Sequence, residues 1–482
     1  MISIPRSLIH QFRAVTRRAG LCKPGTRQSG SVRILASTDT VQLQTTNGTV
    51  SAELKASGQF GPAEVTVPAE FLADCEAKNP DLVTIRRNGN DRILVTWTDR
   101  GIPQQRDYEV TEDLEMPALA PQLAANSPKL LAALRDAMST TESNSTRYAL
   151  DCLQLDGSSG SIAATDSRQL LVQSGFQFPW SEKLLIPSTK LYGCRELPTD
   201  LAVEIGRTDQ GVTVKIGCWT IHHTIVADRQ FPEIARAIPV VSAIRTRLSI
   251  PEADAKFLAE TADRLPADDQ SERPVTLELN GSVVVRARKD NQSPLMELLL
   301  NRSERRGDQM RLQTNRGYLL RALEMGFREI GFAGPDAACL CQDETRSYVW
   351  MLLENKGALE TDPEAIRLES SAIRTRAEVA NDQQTIQSVT TGSTINPPIN
   401  RVKRLLHKKD AKSGAGGSRC NPDPAVVVPI DTFQQVIDLR DQLQILLRSV
   451  SSLAKQIRQE RKQSLLVQST LRSLQQLRLL DA

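Results

Sequence analysis

The sequence predicts an α+β fold of three tandem domains, each made of antiparallel sheets with two helices on one face, followed by a disordered linker and a C-terminal coiled-coil helix. Three observations support this prediction. The chain has 482 residues, more than a single hydrophobic core usually organises. One order of helix, strands, helix and strands occurs three times, at a spacing of roughly 120 residues. Beyond the third copy the sequence becomes polar and then takes on a heptad pattern.

The most regular part of the repeat is a helix followed by a hairpin of strands. In the first copy, residues 65–75 predict the helix, and residues 81–87 and 92–97 predict strands around a turn at Asn88-Gly-Asn. The other copies have the same order, at 185–194, 201–205 and 212–216, and at 312–323, 329–332, 338–341 and 347–351. A unit of this length is too large for a solenoid repeat and fits a domain.

A further helix opens each copy and begins at a proline. Pro5, Pro128 and Pro251 stand at these positions, where the missing backbone N–H of proline is tolerated. We therefore place the three domains at 1–112, 113–243 and 244–356.

The rest of the chain predicts two further segments. Residues 357–428 are rich in Ser, Thr, Asn, Pro and Gly and include the basic run 401–409, so we expect a flexible linker. In residues 429–482, apolar side chains recur at alternating spacings of four and three from position 436, which is typical of a coiled-coil seam. We expect one long helix there that pairs with a partner helix.

Cysteine usage and hydropathy exclude several classes of protein. The eight cysteines form no CxxC pair and have no nearby histidine at zinc spacing, so we expect neither a disulfide framework nor a metal site. No run of about 18 apolar residues occurs, which argues against a membrane protein. Residues 1–38 contain no Asp or Glu and resemble a transit peptide in composition, but they have a counterpart later in the chain. We interpret them as part of the first domain.

Three segments of the second domain resemble signatures of a known family. They are Thr-Arg-Tyr-Ala-Leu at 146–150, Ile-Ala-Ala-Thr-Asp-Ser-Arg-Gln-Leu-Leu-Val at 162–172, and Ala-Asp-Arg-Gln-Phe-Pro-Glu-Ile-Ala-Arg-Ala-Ile-Pro at 227–239. In order and spacing they resemble the bacterial DNA polymerase sliding clamp, the beta subunit of DNA polymerase III. The resemblance covers residues 1 to about 355 and implies three DNA-clamp domains.

The resemblance also implies a function and a set of partners. Two chains would form a homodimeric ring, head to tail, with helices lining a central hole. Such a ring encircles duplex DNA without sequence specificity and confers processivity on a DNA polymerase. The implied protein partners are the polymerase, clamp-loader subunits and repair proteins with short linear peptides, in the cytoplasm at the nucleoid. No cofactor is expected.

The first helix has the chemistry of a phosphate-facing surface. On a helical wheel, Arg6, His10, Arg13 and Arg17 fall on one face, opposite a face of apolar side chains. Lys23 and Arg27 in the following loop could extend the basic surface. The alternative interpretation is a solvated surface helix that happens to be basic. The first helix of the third domain is acidic instead, which departs from a uniformly basic channel.

The resemblance further implies a pocket for partner peptides between the second and third domains. Apolar anchors with a few polar groups at the rim suit an extended peptide that carries Leu or Phe side chains. The alternative for the apolar positions is ordinary core packing. The family usually has Gly-His-Arg where this chain has Ser-Arg-Gln at 167–169. The matching positions are Leu150, Thr165, Ser167, Arg168, Leu170, Pro232, Arg236, Ala237, Tyr318, Val349 and Met351.

By the same analogy, the dimer contact involves the edge strand of the first domain around Tyr108 and Val110 and the third domain near Leu265.

The sequence contains no arrangement of residues typical of an enzyme. His222 and His223 adjoin in a strand, so their side chains point to opposite faces and cannot converge on one metal or substrate. Asp166 is expected to cap a turn. We therefore assign no catalytic residues. The second hypothesis for function is a diverged clamp-fold scaffold that assembles partners through its coiled coil without encircling DNA.

Overall fold

A computed structural model of the chain describes residues 1–21, 30–89, 91–111, 114–142, 148–267 and 272–370. The rest of the predicted linker and the predicted coiled coil, from residue 371 onwards, lie outside the described residues.

The first repeat opens with a short strand and a long helix whose two faces differ. Leu8, Ile9, Phe12 and Val15 are buried on one face of that helix. The helix ends at Gly20, whose φ of 73° places it in the left-handed conformation that commonly terminates helices. The elements are β1 (Ile2–Pro5), α1 (Arg6–Ala19), β2 (Ser31–Ala36), β3 (Thr40–Thr46), β4 (Val50–Ser57), β5 (Ala63–Pro68), α2 (Glu70–Cys75), β6 (Leu82–Arg87), β7 (Arg92–Asp99) and β8 (Ile102–Glu109).

The second repeat has the same order of elements but lacks a full second helix. Only a 3-10 turn, Leu191–Gly193, forms where we predicted a helix, because the predicted segment begins as a strand that ends at Pro187 and Gly193 then disfavours helix extension. The elements are β9 (Leu123–Asn126), α3 (Lys129–Met138), β10 (Cys152–Asp156), β11 (Ser161–Thr165), β12 (Gln169–Gln173), β13 (Lys183–Pro187), β14 (Val203–Arg207), β15 (Gly211–Ile216) and β16 (Trp219–Thr224).

The third repeat again has two helices, with one extra strand before the second helix, and a further strand follows the repeat. The side chain of Asn315 caps the second helix by accepting a hydrogen bond from the N–H of Gly317 at 2.8 Å. The elements are β17 (Thr246–Ser249), α4 (Glu252–Thr261), β18 (Pro274–Glu278), β19 (Val283–Ala287), β20 (Met296–Leu300), β21 (Glu304–Gly307), β22 (Arg311–Asn315), α5 (Arg316–Glu324), β23 (Glu329–Phe332), β24 (Ala338–Gln342), β25 (Arg346–Met351) and β26 (Ile366–Glu369).

The strands of the described residues form four sheets, two of which continue from one repeat into the next. The orders are β1-β6-β7-β8, β5-β2-β3-β4-β16-β15-β14-β9, β13-β10-β11-β12-β25-β24-β23-β17-β21 and β22-β18-β19-β20-β26. An α+β fold of antiparallel sheets with few helices is thus confirmed. The exact domain limits stay a prediction.

Neighbouring repeats are joined by one recurring strand pair. At the first joint β4 pairs antiparallel with β16, and at the second joint β12 pairs antiparallel with β25. In both cases the fourth strand of one repeat pairs with the closing strand of the last hairpin of the next, which is β16 at the first joint and β25 at the second. Apolar side chains bury each joint: Trp219 of β16 stacks on Phe12 of α1, with ring centroids 6.1 Å apart.

The chain beyond the third repeat continues across the outer sheet of that repeat. Leu353 pairs with Gln313 on β22, and the N–H of Leu359 donates to the hydroxyl of Thr276 on β18. The chain then reaches the opposite edge, where β26 pairs parallel with β20. Residues 357–370 therefore differ from the flexible linker that we expected there, because their backbone groups bond to an existing sheet.

The helices contact each other within repeats and between them. Helix α1 packs on the 3-10 turn of the second repeat, and α4 packs on α5. Arg321 of α5 donates to the carbonyl oxygens of Asp136 and Ser139, at the C-terminal end of α3. Among the described residues, no helix combines the length and the apolar character needed to cross a membrane.

Candidate functional site

Arg6 does not belong to the predicted basic surface. Its side chain is only 4% exposed, because it lies between the end of α2 and the end of β7. The guanidinium donates to the carbonyl oxygens of Cys75 and Thr98 at 2.9 and 2.6 Å, and it forms an ion pair with Asp99 at 3.2 Å. These bonds occupy its donors, so the prediction that Arg6 contacts DNA is corrected to a structural role.

The next two positions on that face share one carboxylate. Nδ1 of His10 lies 3.1 Å from a carboxylate oxygen of Glu76, and Arg13 forms an ion pair with the same side chain. Both are half-buried, and Glu76 offsets part of their charge. Arg17 is exposed, one turn further along. The cationic surface of α1 is therefore centred on its C-terminal turn, where the helix dipole also favours positive charge.

Cations from other elements extend this surface. A cavity of about 770 Å³ lies between the end of α1 and α3, and Arg18, Arg135 and Lys190 contribute side chains to its lining. Glu142 and Asp151 line it as well, so the charge is mixed. Because Lys190 comes from the loop after β13, no local pattern indicates that it joins Arg18. Lys23 and Arg27 lie outside the described residues.

The helix surface of the third repeat has more acids than bases, because Lys256 and Arg264 are the exposed cations of α4 and the turn after it. Glu260 and Asp263 are exposed along α4 and the turn that follows it, and Glu252 pairs with Arg328. Asp254 is fully buried and accepts hydrogen bonds from the N–H of Arg302 and the hydroxyl of Ser303. The positive surface is therefore concentrated on the first and second repeats.

The loop between β11 and β12 is held by a single carboxylate. One oxygen of Asp166 accepts the N–H groups of Arg168 and Gln169 at 2.9 and 2.8 Å, so the aspartate caps the turn, as predicted. Thr165 is buried and accepts the N–H of Ser167, whose φ of 75° is left-handed. The Asp166 side chain therefore sets the backbone at 165–169.

Two further side chains connect this loop to the third repeat. Gln169 accepts a hydrogen bond from the hydroxyl of Tyr348 at 2.6 Å in a buried position. Arg168 is exposed and forms an ion pair with Glu272, and its carbonyl accepts the N–H of Met351. The Tyr318 hydroxyl lies 3.4 Å from Asp166, and burial together with this carboxylate raises the pKa of Tyr318 to about 12. The loop therefore belongs to the joint between the second and third repeats.

The apolar part of the predicted pocket forms a small cluster at the same joint. Leu170 and Val349 are paired across β12 and β25, and both are buried together with Leu340. Ile234, Ile238 and Ile244, from the segment that connects the two repeats, pack against them. The cluster is therefore covered by the chain itself, as the core-packing alternative predicts for Leu170 and Val349.

The remaining pocket positions lie at the surface around this cluster. Met351 is 48% exposed, Pro232 is half-buried, and Arg236 and Ala237 are exposed. Leu150 is buried before β10. Sequence reasoning missed Val240 and Val241, which are apolar and exposed in the connecting segment. Met351 and these valines are thus accessible apolar side chains, whereas the centre of the predicted pocket is filled.

The residues predicted for the dimer contact lie at two separate places. On β8, the Tyr108 ring packs edge-on against Phe71, and its hydroxyl donates to Asp74 at 2.7 Å. Val110 follows β8 and is half-buried. Leu265 is buried in the core of the third repeat, so its side chain is not part of the surface there.

The adjacent histidines point to opposite faces of β16, as the sequence predicted. Nε2 of His223 lies 2.6 Å from the hydroxyl of Tyr192, and Nδ1 of His222 lies 3.1 Å from the hydroxyl of Thr213. Burial lowers the pKa of His222 to about 4 and, together with the neighbouring His222, that of His223 to about 3. Both imidazoles are therefore neutral near pH 7.

Comparison with solved structures relates this fold to replication clamps. The DNA polymerase sliding clamp of Pseudomonas aeruginosa is 20% identical, with 73% of this chain and 100% of that chain covered at a TM-score of 0.59. The DNA polymerase III beta chain of Streptococcus pneumoniae is 16% identical, with the same coverage and TM-score. The C. crescentus beta sliding clamp is 17% identical over 73% of this chain and 99% of that chain, at a TM-score of 0.57.

Sequence comparison gives no further assignment. No protein-family model matches the chain, and no curated protein matches it. At this level of identity the solved structures establish the fold and leave the activity to be argued from the residues. Residues 1 to about 355 therefore have the fold of the bacterial DNA polymerase sliding clamp, as the sequence signatures predicted.

Proposed function

We propose that this protein is a DNA sliding clamp in which two chains close head to tail around duplex DNA. The ring confers processivity on a replicative DNA polymerase and moves along DNA without reading its sequence. It acts in the cytoplasm at the nucleoid. The polymerase, clamp-loader subunits and repair proteins are its proposed partners.

The observation that carries the proposal is the way the repeats join. Each joint pairs the fourth strand of one repeat with the closing strand of the last hairpin of the next, and β8 is the corresponding strand of the first repeat. Applied once more, the rule pairs β20 of the third repeat with β8 of the first repeat of another chain. Two chains related in this way have heterologous contacts that close on themselves, as a ring requires.

Charge on the helix side supports duplex DNA as the ligand. Arg17, Arg18, Arg135 and Lys190 provide positive side chains on the first two repeats. Contacts of this kind are made to phosphates and do not depend on base sequence. We expect DNA to be held mainly through the first and second repeats, since the exposed side chains of α4 include acids.

The partner-peptide site is proposed at the joint between the second and third repeats. Met351, Val240 and Val241 are its accessible apolar side chains. A peptide with Leu or Phe side chains would need to displace the isoleucines of the connecting segment to reach Leu170 and Val349. The connecting segment is irregular, so such a rearrangement breaks no sheet pairing of its own.

Topological retention tests the proposal. The full chain is incubated at low salt with nicked circular duplex DNA, unbound protein is removed by gel filtration, and half of the sample is cut once with a restriction enzyme. We expect the protein to remain on circles and to leave the cut DNA, and to be retained again when streptavidin blocks biotinylated ends. Equal loss from circular and linear DNA would contradict a ring.

A second candidate function is a scaffold with the clamp fold that does not encircle DNA. The exposed acids of α4 and the strand β26 on the expected closing edge favour this candidate. A scaffold predicts equal retention on circular and linear DNA. It also predicts that self-association is lost with residues 425–482, whereas ring formation persists without them.

A further inference from the structure

We propose that β26 is a detachable strand that occupies the closing edge of β20 until β8 of a second copy replaces it. The inference rests on the proposed ring, and it adds that β26 competes with β8 of a second copy for the edge of β20. The ring then closes only when the strand of another chain replaces the strand of the same chain on β20.

The edge of β20 corresponds to edges that are used elsewhere in the chain. β4 and β12 are the fourth strands of their repeats, as β20 is of the third, and both accept an antiparallel neighbour from the next repeat. In the described residues β20 accepts β26 at that edge, in parallel orientation. β26 thus takes the place that the repeat pattern assigns to a neighbouring domain.

The backbone bonds of β26 prevent a second strand from pairing there. The N–H of Ile366 donates to the carbonyl of Leu295 at 2.8 Å, and the N–H of Ser370 donates to the carbonyl of Leu299 at 3.0 Å. In a parallel ladder, the N–H of Leu368 lies between these two and points to β20 as well. Because a strand edge offers one row of donors and acceptors, β8 can pair with β20 only after β26 has left.

The side chains of β26 hold it weakly. Ile366 and Leu368 face the same side as the core residue Leu298, yet they are 48% and 42% exposed. At the first joint, Trp219 and Ile221 on the corresponding side of β16 are almost fully buried. The pairing of β26 is also four residues long and parallel, and parallel pairs are slightly less stable per residue than antiparallel ones.

One ion pair also stabilises the pairing of β26 with β20, but the sheet that contains β20 does not depend on it. Arg367 donates to Glu297 of β20 at 2.8 Å, and Glu297 also accepts a hydrogen bond from the buried Arg286 at 2.7 Å. Burial raises the pKa of Glu297, but the two arginines outweigh burial and lower it. When Arg367 leaves, Arg286 still pairs with Glu297 and Glu278, and Arg311 pairs with Glu278, so the two buried carboxylates keep two guanidinium partners.

β8 has the properties of the stronger competitor. It is an eight-residue strand at the end of its sheet among the described residues, twice the length of β26. Ile102, at its start, is 63% exposed. An antiparallel β8 would bring the first-repeat core behind it, as β16 does at the first joint, whereas Ile366 and Leu368 of β26 remain about half exposed.

A photo-crosslinking experiment on the full chain tests the proposal. Benzoylphenylalanine replaces Ile102 on β8, and Leu368→Pro removes the central N–H of β26, with Leu368→Ala as the matched control that keeps it. Because a lost ladder bond weakens β26, we expect Leu368→Pro to raise the yield of crosslinks to residues 295–301 of a second copy by about tenfold over Leu368→Ala. Arg367→Ala should raise it less, with an unchanged melting temperature.

Two sets of results would contradict the proposal, one by excluding the competition and the other by excluding the ring. A crosslink yield in Leu368→Pro equal to or below that in Leu368→Ala, or crosslinks to residues 366–369, would overturn the competition while the ring stands. If no variant crosslinks between chains and the wild type leaves circular and linear DNA at the same rate, the ring itself fails and the competition fails with it.

Discussion

Arg6 and Arg17 lie on the same face of α1 but have different surroundings. Arg6 is enclosed by backbone carbonyl groups and Asp99, whereas Arg17 is exposed beyond the carboxylate of Glu76. The first arginine therefore connects α1 to α2 and β7, and the second is available to a phosphate. Charge alone does not distinguish these roles.

A pair of substitutions separates the two arginines. Arg6→Ala should lower the free energy of unfolding by about 3 kcal/mol, because it removes the charge-assisted hydrogen bonds from the buried guanidinium to the carbonyl oxygens of Cys75 and Thr98. Arg17→Ala should leave stability unchanged and weaken duplex DNA binding, with a salt slope that is smaller by about one. Urea midpoints and fluorescence anisotropy with a labelled duplex measure the two effects. The interpretation is wrong if Arg6→Ala is stable and binds DNA more weakly.

The histidines of β16 predict a specific dependence of stability on acid. Their pKa values in the folded chain, about 4 for His222 and about 3 for His223, lie below the ordinary value of 6.5. The unfolded chain therefore binds protons first as the pH falls below 6.5, and stability decreases from there towards the folded pKa. His222→Gln keeps a partner for Thr213 and should reduce the slope by about 1.4 kcal/mol per pH unit between pH 6 and 4.5. Urea unfolding across that range measures the slope, and an unchanged slope would contradict the assignment.

At the scale of elements, the joints between repeats combine strand pairing with side-chain bonds on the helix side. The second joint shows both, since Leu170 pairs with Val349 and Tyr348 bonds to Gln169 within the same two strands. On the helix side, Arg321 of α5 donates to four oxygen atoms at the end of α3. The end of α3 thus has donors for carbonyl groups that a helix C-terminus leaves without partners.

Removing those donors should loosen the second joint. Arg321→Ala is expected to lower stability by about 2 kcal/mol, since it takes away several charge-assisted bonds to the end of α3. Arg236→Ala, at a side chain that is 87% exposed, is the matched control and should have no effect. Thermal melting of both variants gives the comparison. A normal melting temperature for Arg321→Ala would show that strand pairing alone holds the joint.

Local patterns predicted most elements but not their long-range neighbours. The repeat and the apolar face of α1 were readable, because each depends on residues close in sequence. The burial of Arg6 depends on Thr98 and Asp99 at the end of β7, which a helical wheel does not contain. β26 did carry a signal, the alternation of Ile366, Arg367, Leu368 and Glu369, but its polar surroundings favoured a linker.

At the scale of the whole molecule, opposite charges divide the helix side between repeats. On the first two repeats Arg17, Arg18, Arg135 and Lys190 are exposed, whereas α4 and the turn after it expose three acids, Glu252, Glu260 and Asp263, against Lys256 and Arg264. A duplex inside a ring of two chains would meet two positive and two acidic regions. We therefore expect duplex DNA to bind with modest affinity and steep salt dependence, and we expect the closed ring to contribute most of the retention on DNA.

We expect the basic run at 401–409 to add phosphate contacts in the full chain. Deletion of residues 401–412 should weaken duplex binding at low salt, because it removes six Lys and Arg side chains from a segment next to the clamp domains in sequence. Deletion of residues 385–396, which has the same length and no charge, is the control. Anisotropy titrations at two salt concentrations measure the difference, and equal affinities for both deletions would refute the contact.

The covalent tether of β26 gives assembly a dependence on gene dosage. A strand on the same chain competes at a fixed effective concentration, on the order of millimolar for a short connection, whereas β8 of a second copy competes at the concentration of the protein. Diluted chains would keep their own strand, and crowded chains would exchange it. A cell could then regulate ring formation through the total amount and the local concentration of the protein.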